Sequence, residues 1–132
     1  MYNSLKKGEK MTFDNFVKTL NISNIGKTKI ESNEFIELFK QKKAVLLDIR
    51  EDFEREAVRF PFAIEIPLTK LPNNLDKLPK DKIIACACPN GYRSVFATNY
   101  LNYKGFEARN LMGGLAKLFG EYLSGNKAKA VL

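Results

Sequence analysis

The sequence predicts an α/β fold: a central, mostly parallel five-stranded sheet flanked by helices in a three-layer sandwich. Three observations carry this expectation. Apolar runs of strand length alternate with stretches whose apolar residues recur at helical spacing, the pattern of βαβ units. One run, Ala44 to Ile49 (Ala-Val-Leu-Leu-Asp-Ile), is apolar almost throughout, as a strand covered on both faces requires. A chain of 132 residues, 45% hydrophobic and 28% charged, suits one soluble domain with one core.

In chain order, residues 1–26 are expected to be an extension and 27–124 the domain, with 125–132 a tail. The first ten residues are polar and lysine-bearing, a loose start. Thr12 caps a short amphipathic helix carrying Phe13, Phe16, Val17 and Leu20 at i, i+3, i+4 and i+7. That stripe packs on the domain, with a dimer or partner contact as the alternative. Asn21 to Lys27 is expected to be a linker broken by Gly26. The domain then begins with a strand from Lys27 to Glu31. Ser32 is the N-cap of a helix over Asn33 to Gln41, with Phe35, Ile36, Leu38 and Phe39 inward. The strand from Ala44 to Ile49 leads into a short charged helix, Glu51 to Val58. Another strand, Ala63 to Ile66, is closed by Pro67, and Leu68 to Leu78 forms a helix or turn broken at Pro72. The strand Ile83 to Cys88 runs into a helix over Tyr92 to Lys104, with Phe96, Ala97, Tyr100 and Leu101 at helical spacing. A strand Glu107 to Leu111, a Gly113-Gly114 turn and a helix Leu115 to Leu123 complete the alternation. In such sheets ligands bind beyond the C-terminal strand ends, where Cys88 falls.

Composition removes several kinds of chemistry. The net charge is +7 and there is no histidine, so histidine general-base catalysis is excluded. Two cysteines in a C-x-C pair cannot complete a tetrahedral zinc site, and neither a metal nor a cofactor is expected. The lysines are spread along the chain with no nucleic-acid-binding motif, so they are expected to form a solvated surface that draws in anionic substrates, with no nucleic-acid partner. No apolar stretch reaches the roughly 18 to 20 residues that span a bilayer, and Met1 to Met11 lacks the apolar core of a secretory signal. The expectation is a cytoplasmic protein without a membrane contact, monomer or homodimer. Two cysteines two positions apart are no disulfide framework, which fits a reducing compartment.

The chemistry concentrates at Cys88-Pro89-Asn90-Gly91-Tyr92-Arg93-Ser94, where a buried strand meets a helix. The first turn of a helix has amides without intrahelical partners and the positive end of the dipole. Together with a nearby cation, here Arg93, these favour a thiolate. Gly91 allows main-chain angles that curl the loop's N–H groups around the sulfur. The expected result is an anion-binding cup with Cys88, the nucleophile, at its base. Cys86 lies two residues earlier on the same pleat face. It is expected to be a small buried hydrophobe, because a C-x-C disulfide on an extended strand is geometrically poor.

Five segments, from about Lys27 to Leu123, resemble the single-domain rhodanese-like sulfurtransferases. Leu46-Leu47-Asp48-Ile49-Arg50-Glu51 is similar to that family's Asp-Val-Arg-Glu strand end, and Ala63-Ile64-Glu65-Ile66-Pro67-Leu68 to its Ala-Ile-Asn-Ile-Pro-Leu strand. Cys88 to Ser94 matches the Cys-x-x-Gly-x-Arg-Ser loop, and Gly105-Phe106 and Leu111-Met112-Gly113-Gly114 match the elements that follow. The chain departs from the family at Val58-Arg59-Phe60-Pro61-Phe62-Ala63, where Gly-His-Ile-Pro-Gly-Ala is usual. It also lacks the tryptophan common after the glycine pair, with Leu118 nearby. Val58 and Phe62 in place of glycines imply a bulkier, more apolar wall at the pocket rim or a partner surface.

The resemblance implies that Cys88 takes a sulfane sulfur as a persulfide and passes it to a thiol or another nucleophile. Pro89, Asn90, Gly91, Tyr92, Arg93 and Ser94 would form the substrate loop, supported by Asp48, Arg50 and Arg59. Arg93 would bind the leaving anion or hold the loop through an acidic residue such as Glu54 or Asp48. An uncharged loop interior favours a persulfide or polysulfide over the thiosulfate dianion, unless Arg59 leans into the mouth. The partners implied are a small-molecule sulfur donor and thiol acceptor, with a protein acceptor as a further partner; in that case the Phe13–Leu20 helix would be the contact. Two alternatives stand beside this: a non-catalytic docking or regulatory module on the same fold, and a phosphatase or arsenate reductase. The C-x4-R spacing from Cys88 to Arg93 argues against the latter, whose loop is C-x5-R and fits a tetrahedral oxyanion.

Overall fold

Residues 10–122 are described by a computed structural model. Five strands, β1 (Lys29–Ile30), β2 (Ala44–Asp48), β3 (Ile64–Glu65), β4 (Ile83–Ala87) and β5 (Glu107–Leu111), lie in the order β1-β5-β4-β2-β3. All four pairings are parallel, including the register Leu47 to Cys86 and Cys86 to Asn110. The sheet is therefore parallel throughout, in keeping with the near-continuous apolar runs of β2 and β4. Among the described residues five α-helices accompany it: α1 (Phe13–Lys18), α2 (Ile22–Gly26), α3 (Ser32–Lys40), α4 (Ser94–Tyr103) and α5 (Gly114–Tyr122).

The period-two alternation of the strands sorts the core into two layers. Ala44, Leu46, Ala85, Ala87 and Leu111 face α3 and α5, where Phe35, Ile36, Leu115 and Leu118 meet them. Leu47, Ile84, Cys86 and Ala108 face α4 through Ala97 and Leu101, together with Leu71 and Leu78. Burying each of the larger side chains stabilises the fold by roughly 1.5–3 kcal/mol. Helices on both faces make the three-layer α/β sandwich that the alternation predicts.

The structure corrects several local expectations. Asn21 to Lys27 is not a linker: Ile22–Gly26 is helical, and the Asn21 side chain caps it by accepting from the Asn24 amide at 2.8 Å. Glu31, not Ser32, is the N-cap of α3, and the Ser32 hydroxyl lies buried without a hydrogen-bond partner. The charged segment after β2 is a single 3-10 turn, Asp52–Arg55, closed by a capping box between Glu51 and Glu54. Leu68–Asn73 and Leu75–Lys77 are 3-10 turns as well, because Pro72 cannot supply the amide a longer helix needs. Phe96 points outward at 69% exposure, while Ala97, Thr98, Leu101 and Asn102 form the buried face of α4. Of the α1 stripe only Phe16 is buried, against the Tyr103 ring at 5.6 Å; Phe13 and Val17 are exposed. The Thr12 cap is present, its hydroxyl accepting from Asn15. Residues 1–9, Leu123 and 124–132 lie outside the described residues.

Candidate active site

The last residue of β4 is Ala87, so Cys88 sits where the central strand leaves the sheet at its C-terminal end. Its residue is 2% exposed. The chain reverses through Gly91, whose φ of +90° is open to glycine at little cost, and enters α4 at Ser94. This reversal turns the Gly91 amide back onto Cys88 Sγ at 3.2 Å. Ser94 Oγ approaches the same sulfur at 3.5 Å. Burial pushes the thiol's pKa up, but the Ser94 hydroxyl and the amides of Ser94, Gly91 and Arg93 outweigh it, leaving Cys88 below the ordinary 9.0. Cys86, enclosed in the same strand, is pushed up to about 12 by burial, with a smaller opposing contribution from Thr98. Both thiols are free.

Two further elements hold the loop from outside. The glycine pair before α5 lets that helix start directly beneath it: the Leu115 amide donates to the Cys88 carbonyl at 2.9 Å and the Ala116 amide to the Pro89 carbonyl at 3.1 Å. A Cβ on Gly114 would lie 2.3 Å from the Cys88 carbonyl oxygen and 2.6 Å from that of Pro89. On the other side, Arg93 does not enter the cup. Its guanidinium donates to both carboxylate oxygens of Glu54, at 3.0 and 2.6 Å. This contact holds the Glu54 carboxyl below its usual 4.5 and raises the Arg93 guanidinium above its ordinary value. Of the two partners the sequence offers Arg93, the structure selects Glu54. Asp48 belongs to a different pair.

Asp48 and Arg50 form a buried fork. Arg50 Nε and Nη2 donate to the Asp48 carboxylate at 3.0 and 2.8 Å, and Nη1 and Nη2 reach on to the carbonyls of Glu54 and Val58. Such a pair costs desolvation and is retained where its remaining hydrogen bonds fix the chain; here it anchors the segment that carries Glu54. Arg59 lies elsewhere, exposed and bound to Glu65 through Nε at 3.1 Å. Tyr92 is 80% exposed at the loop's outer edge, and Asn90 is exposed beside it.

Beside Pro89 runs an apolar groove of about 210 Å³ lined by Arg50, Val58, Phe60, Leu115, Ala116 and Phe119. Val58 thus supplies the apolar wall that its sequence position suggests. Phe62 does not: its ring packs on Phe39 at 5.2 Å and on Phe60 at 6.1 Å.

Sequence reasoning passes over three residues of the neighbourhood. Asn110, in β5, accepts the Ser94 hydroxyl and donates to the Gly91 carbonyl at 3.1 Å. Its only visible signal is a position in register with Ala108 on the inward face of β5, among other polar residues of that strand. Arg55, 4% exposed, donates to the Arg50 carbonyl and to Asp52, and nothing local distinguishes it from a surface arginine. Gly114 is visible as a turn residue, but its contact with the loop is not.

The family profile described as "Rhodanese-like domain" matches residues 31–121. YtwF of Bacillus subtilis (strain 168) is 36% identical over 95 residues, which make up 72% of this chain and 84% of that protein. A sulfurtransferase of Allochromatium vinosum is 33% identical over 72 residues, covering 54% of this chain and 67% of its own length. Among solved structures, a rhodanese-related protein from Thermoplasma volcanium superposes with a TM-score of 0.64 at 29% identity, covering 70% of this chain and 91% of that one. With the all-parallel sheet and the cysteine loop at its C-terminal edge, these matches establish that the chain belongs to the rhodanese-like domain family.

Proposed function

We propose that this rhodanese-type sulfurtransferase carries sulfane sulfur on Cys88 and takes it from an organic persulfide or polysulfide in preference to thiosulfate. The carrying observation is the Gly91 amide aimed at Cys88 Sγ from 3.2 Å in a loop where the residues between Cys88 and Arg93, Pro89, Asn90, Gly91 and Tyr92, are uncharged. Amides placed this way hold an anion at the sulfur, whether thiolate or persulfide. In loading, the Cys88 thiolate attacks the outer sulfur of a donor R–S–SH. The donor S–S bond breaks, R–S⁻ leaves with the electron pair, and Cys88 becomes the persulfide. In unloading, an acceptor thiolate attacks that outer sulfur and Cys88 departs as the thiolate. No net oxidant or reductant is needed.

Donor preference follows from the charges and the groove. Arg93 and Arg59 are engaged by Glu54 and Glu65, so neither is aimed at a dianion such as thiosulfate. The apolar groove beside Pro89 rewards a donor or acceptor with an organic body. A small thiol is the simplest acceptor and a protein thiol the alternative; a reducing, cytoplasmic setting suits a free Cys88. Residues 27–124 would form the catalytic domain.

The test is a donor panel followed by intact mass. Incubation with glutathione persulfide adds one sulfur atom, removable by reductant, to the wild type and to Cys86→Ser but not to Cys88→Ser. A faster rate with thiosulfate than with persulfide would overturn the donor preference. Unimpaired loading of Cys88→Ser would overturn the site.

A further inference from the structure

Four groups beneath the loop form one hydrogen-bonded chain: Cys88 Sγ, Ser94 Oγ, the Asn110 amide and the Gly91 carbonyl. Ser94 is fully buried and Asn110 is 8% exposed, so water has little access to this chain. Its polarity is fixed from one end. The Gly91 carbonyl can only accept, so the Asn110 Nδ2 must face it, and Oδ1 is left facing Ser94. An amide oxygen can only accept, so the single hydroxyl proton of Ser94 is drawn to Asn110. Towards Cys88 the serine then presents lone pairs, which suit an S–H donor and not a sulfur anion. The hydroxyl therefore makes its contribution to the thiolate, described above, only when its proton swings from Asn110 to sulfur.

We infer that Asn110 is a positioning residue that competes with Cys88 for the Ser94 proton, and so sets how strongly the sulfur's charge is neutralised in each half of the transfer. The inference rests on Cys88 being the sulfur carrier. With the proton on Asn110, the thiolate is held by amides alone and remains a strong nucleophile for loading. With the proton on sulfur, Cys88 is the better leaving group for unloading. Only a proton rotates between two acceptors, so no bond is made or broken in the switch.

The pH dependence of Cys88 alkylation by iodoacetamide tests this without any sulfur donor, so its outcome is separate from that of the loading assay. Asn110→Leu removes the competing oxygen and gives the Ser94 proton to sulfur. The alkylation midpoint is expected to fall by about one pH unit, and the plateau rate constant about threefold, because a thiolate's nucleophilicity follows its basicity with a Brønsted slope of about 0.4–0.5. In a Ser94→Ala background the same substitution should leave the midpoint unmoved. The lost contact to Gly91 is common to both backgrounds and cancels in the comparison. Asn110→Ala removes the same polar atoms and replaces the leucine variant if that one does not fold. A midpoint that rises, or that shifts equally with and without Ser94, overturns the inference.

Discussion

Cys86 and Cys88 are two residues apart on one strand face, yet their surroundings drive their acidities in opposite directions. Cys86 is enclosed by the sheet and α4, and burial dominates. Cys88 stands where the strand ends and the Ser94 hydroxyl and the loop amides converge, and those groups outweigh burial. Iodoacetamide labelling of the native protein should therefore show one thiol titrating with a midpoint below 9.0, while Cys86 reacts only after unfolding. The Glu54–Arg93 contact adds a stability effect of definite sign. Its carboxyl is depressed from 4.5 chiefly by Arg93, so the contribution is complete above the unfolded value and fades as pH falls through the folded one. Glu54→Gln should flatten the acid limb of the stability curve, measured by urea unfolding from pH 3 to 6 (a window of about 1.5 units either side of an ordinary glutamate's pKa). Lys42 offers a gain instead. It ends α3 at φ +60°, the left-handed position where glycine is usual, and Lys42→Gly should stabilise the protein by about 1 kcal/mol.

At the scale of elements, the loop is clamped between two helix starts. The α4 end of the loop supplies amides to the sulfur, and α5 supplies amides to the carbonyls of Cys88 and Pro89. Gly114 permits the second contact, so Gly114→Ala must push the loop away from α5. Sulfur loading should drop by about tenfold or more, the loss expected when a reacting group is misplaced, with the far-UV circular dichroism retained. Gly105 is the control: it also has positive φ, but nothing lies within 4 Å of its Cβ position, so Gly105→Ala should cost stability and leave the loading rate alone. The sequence makes the glycine pair and the loop visible as separate motifs. Their contact is long-range, closed by the parallel pairing of β4 and β5, and no local pattern encodes it. The same reason hides Asn110, which acts across strands. By contrast β2, β4, β5, α3 and α4 are legible to within two residues because burial on two faces or on one stripe writes its period directly into the chain. The segment after Arg50 misleads because its charges suggest a surface helix. In the fold, Arg50 and Arg55 turn inward to bind carbonyls and wind that segment around themselves.

Over the whole molecule, α1 and the loop stand at opposite ends of α4. Phe16 contacts Tyr103 at its C-terminus, and Ser94 opens its N-terminus; ten residues at about 1.5 Å each separate the two by roughly 15 Å. A partner gripping α1 would thus hold the protein well away from the reacting sulfur. Removing residues 1–26 is expected to lower stability by about 3 kcal/mol through the lost Phe16 contacts, while persulfide loading from a small donor continues at its former rate. Calorimetry and the mass assay read the two effects separately. Another whole-molecule consequence comes from the outermost strands, β1 and β3, which are only two residues long and flank inner strands of five. A margin that short gives an incoming chain almost no ladder to extend, so concentrated solutions of this enzyme should resist fibre formation for as long as the native state persists.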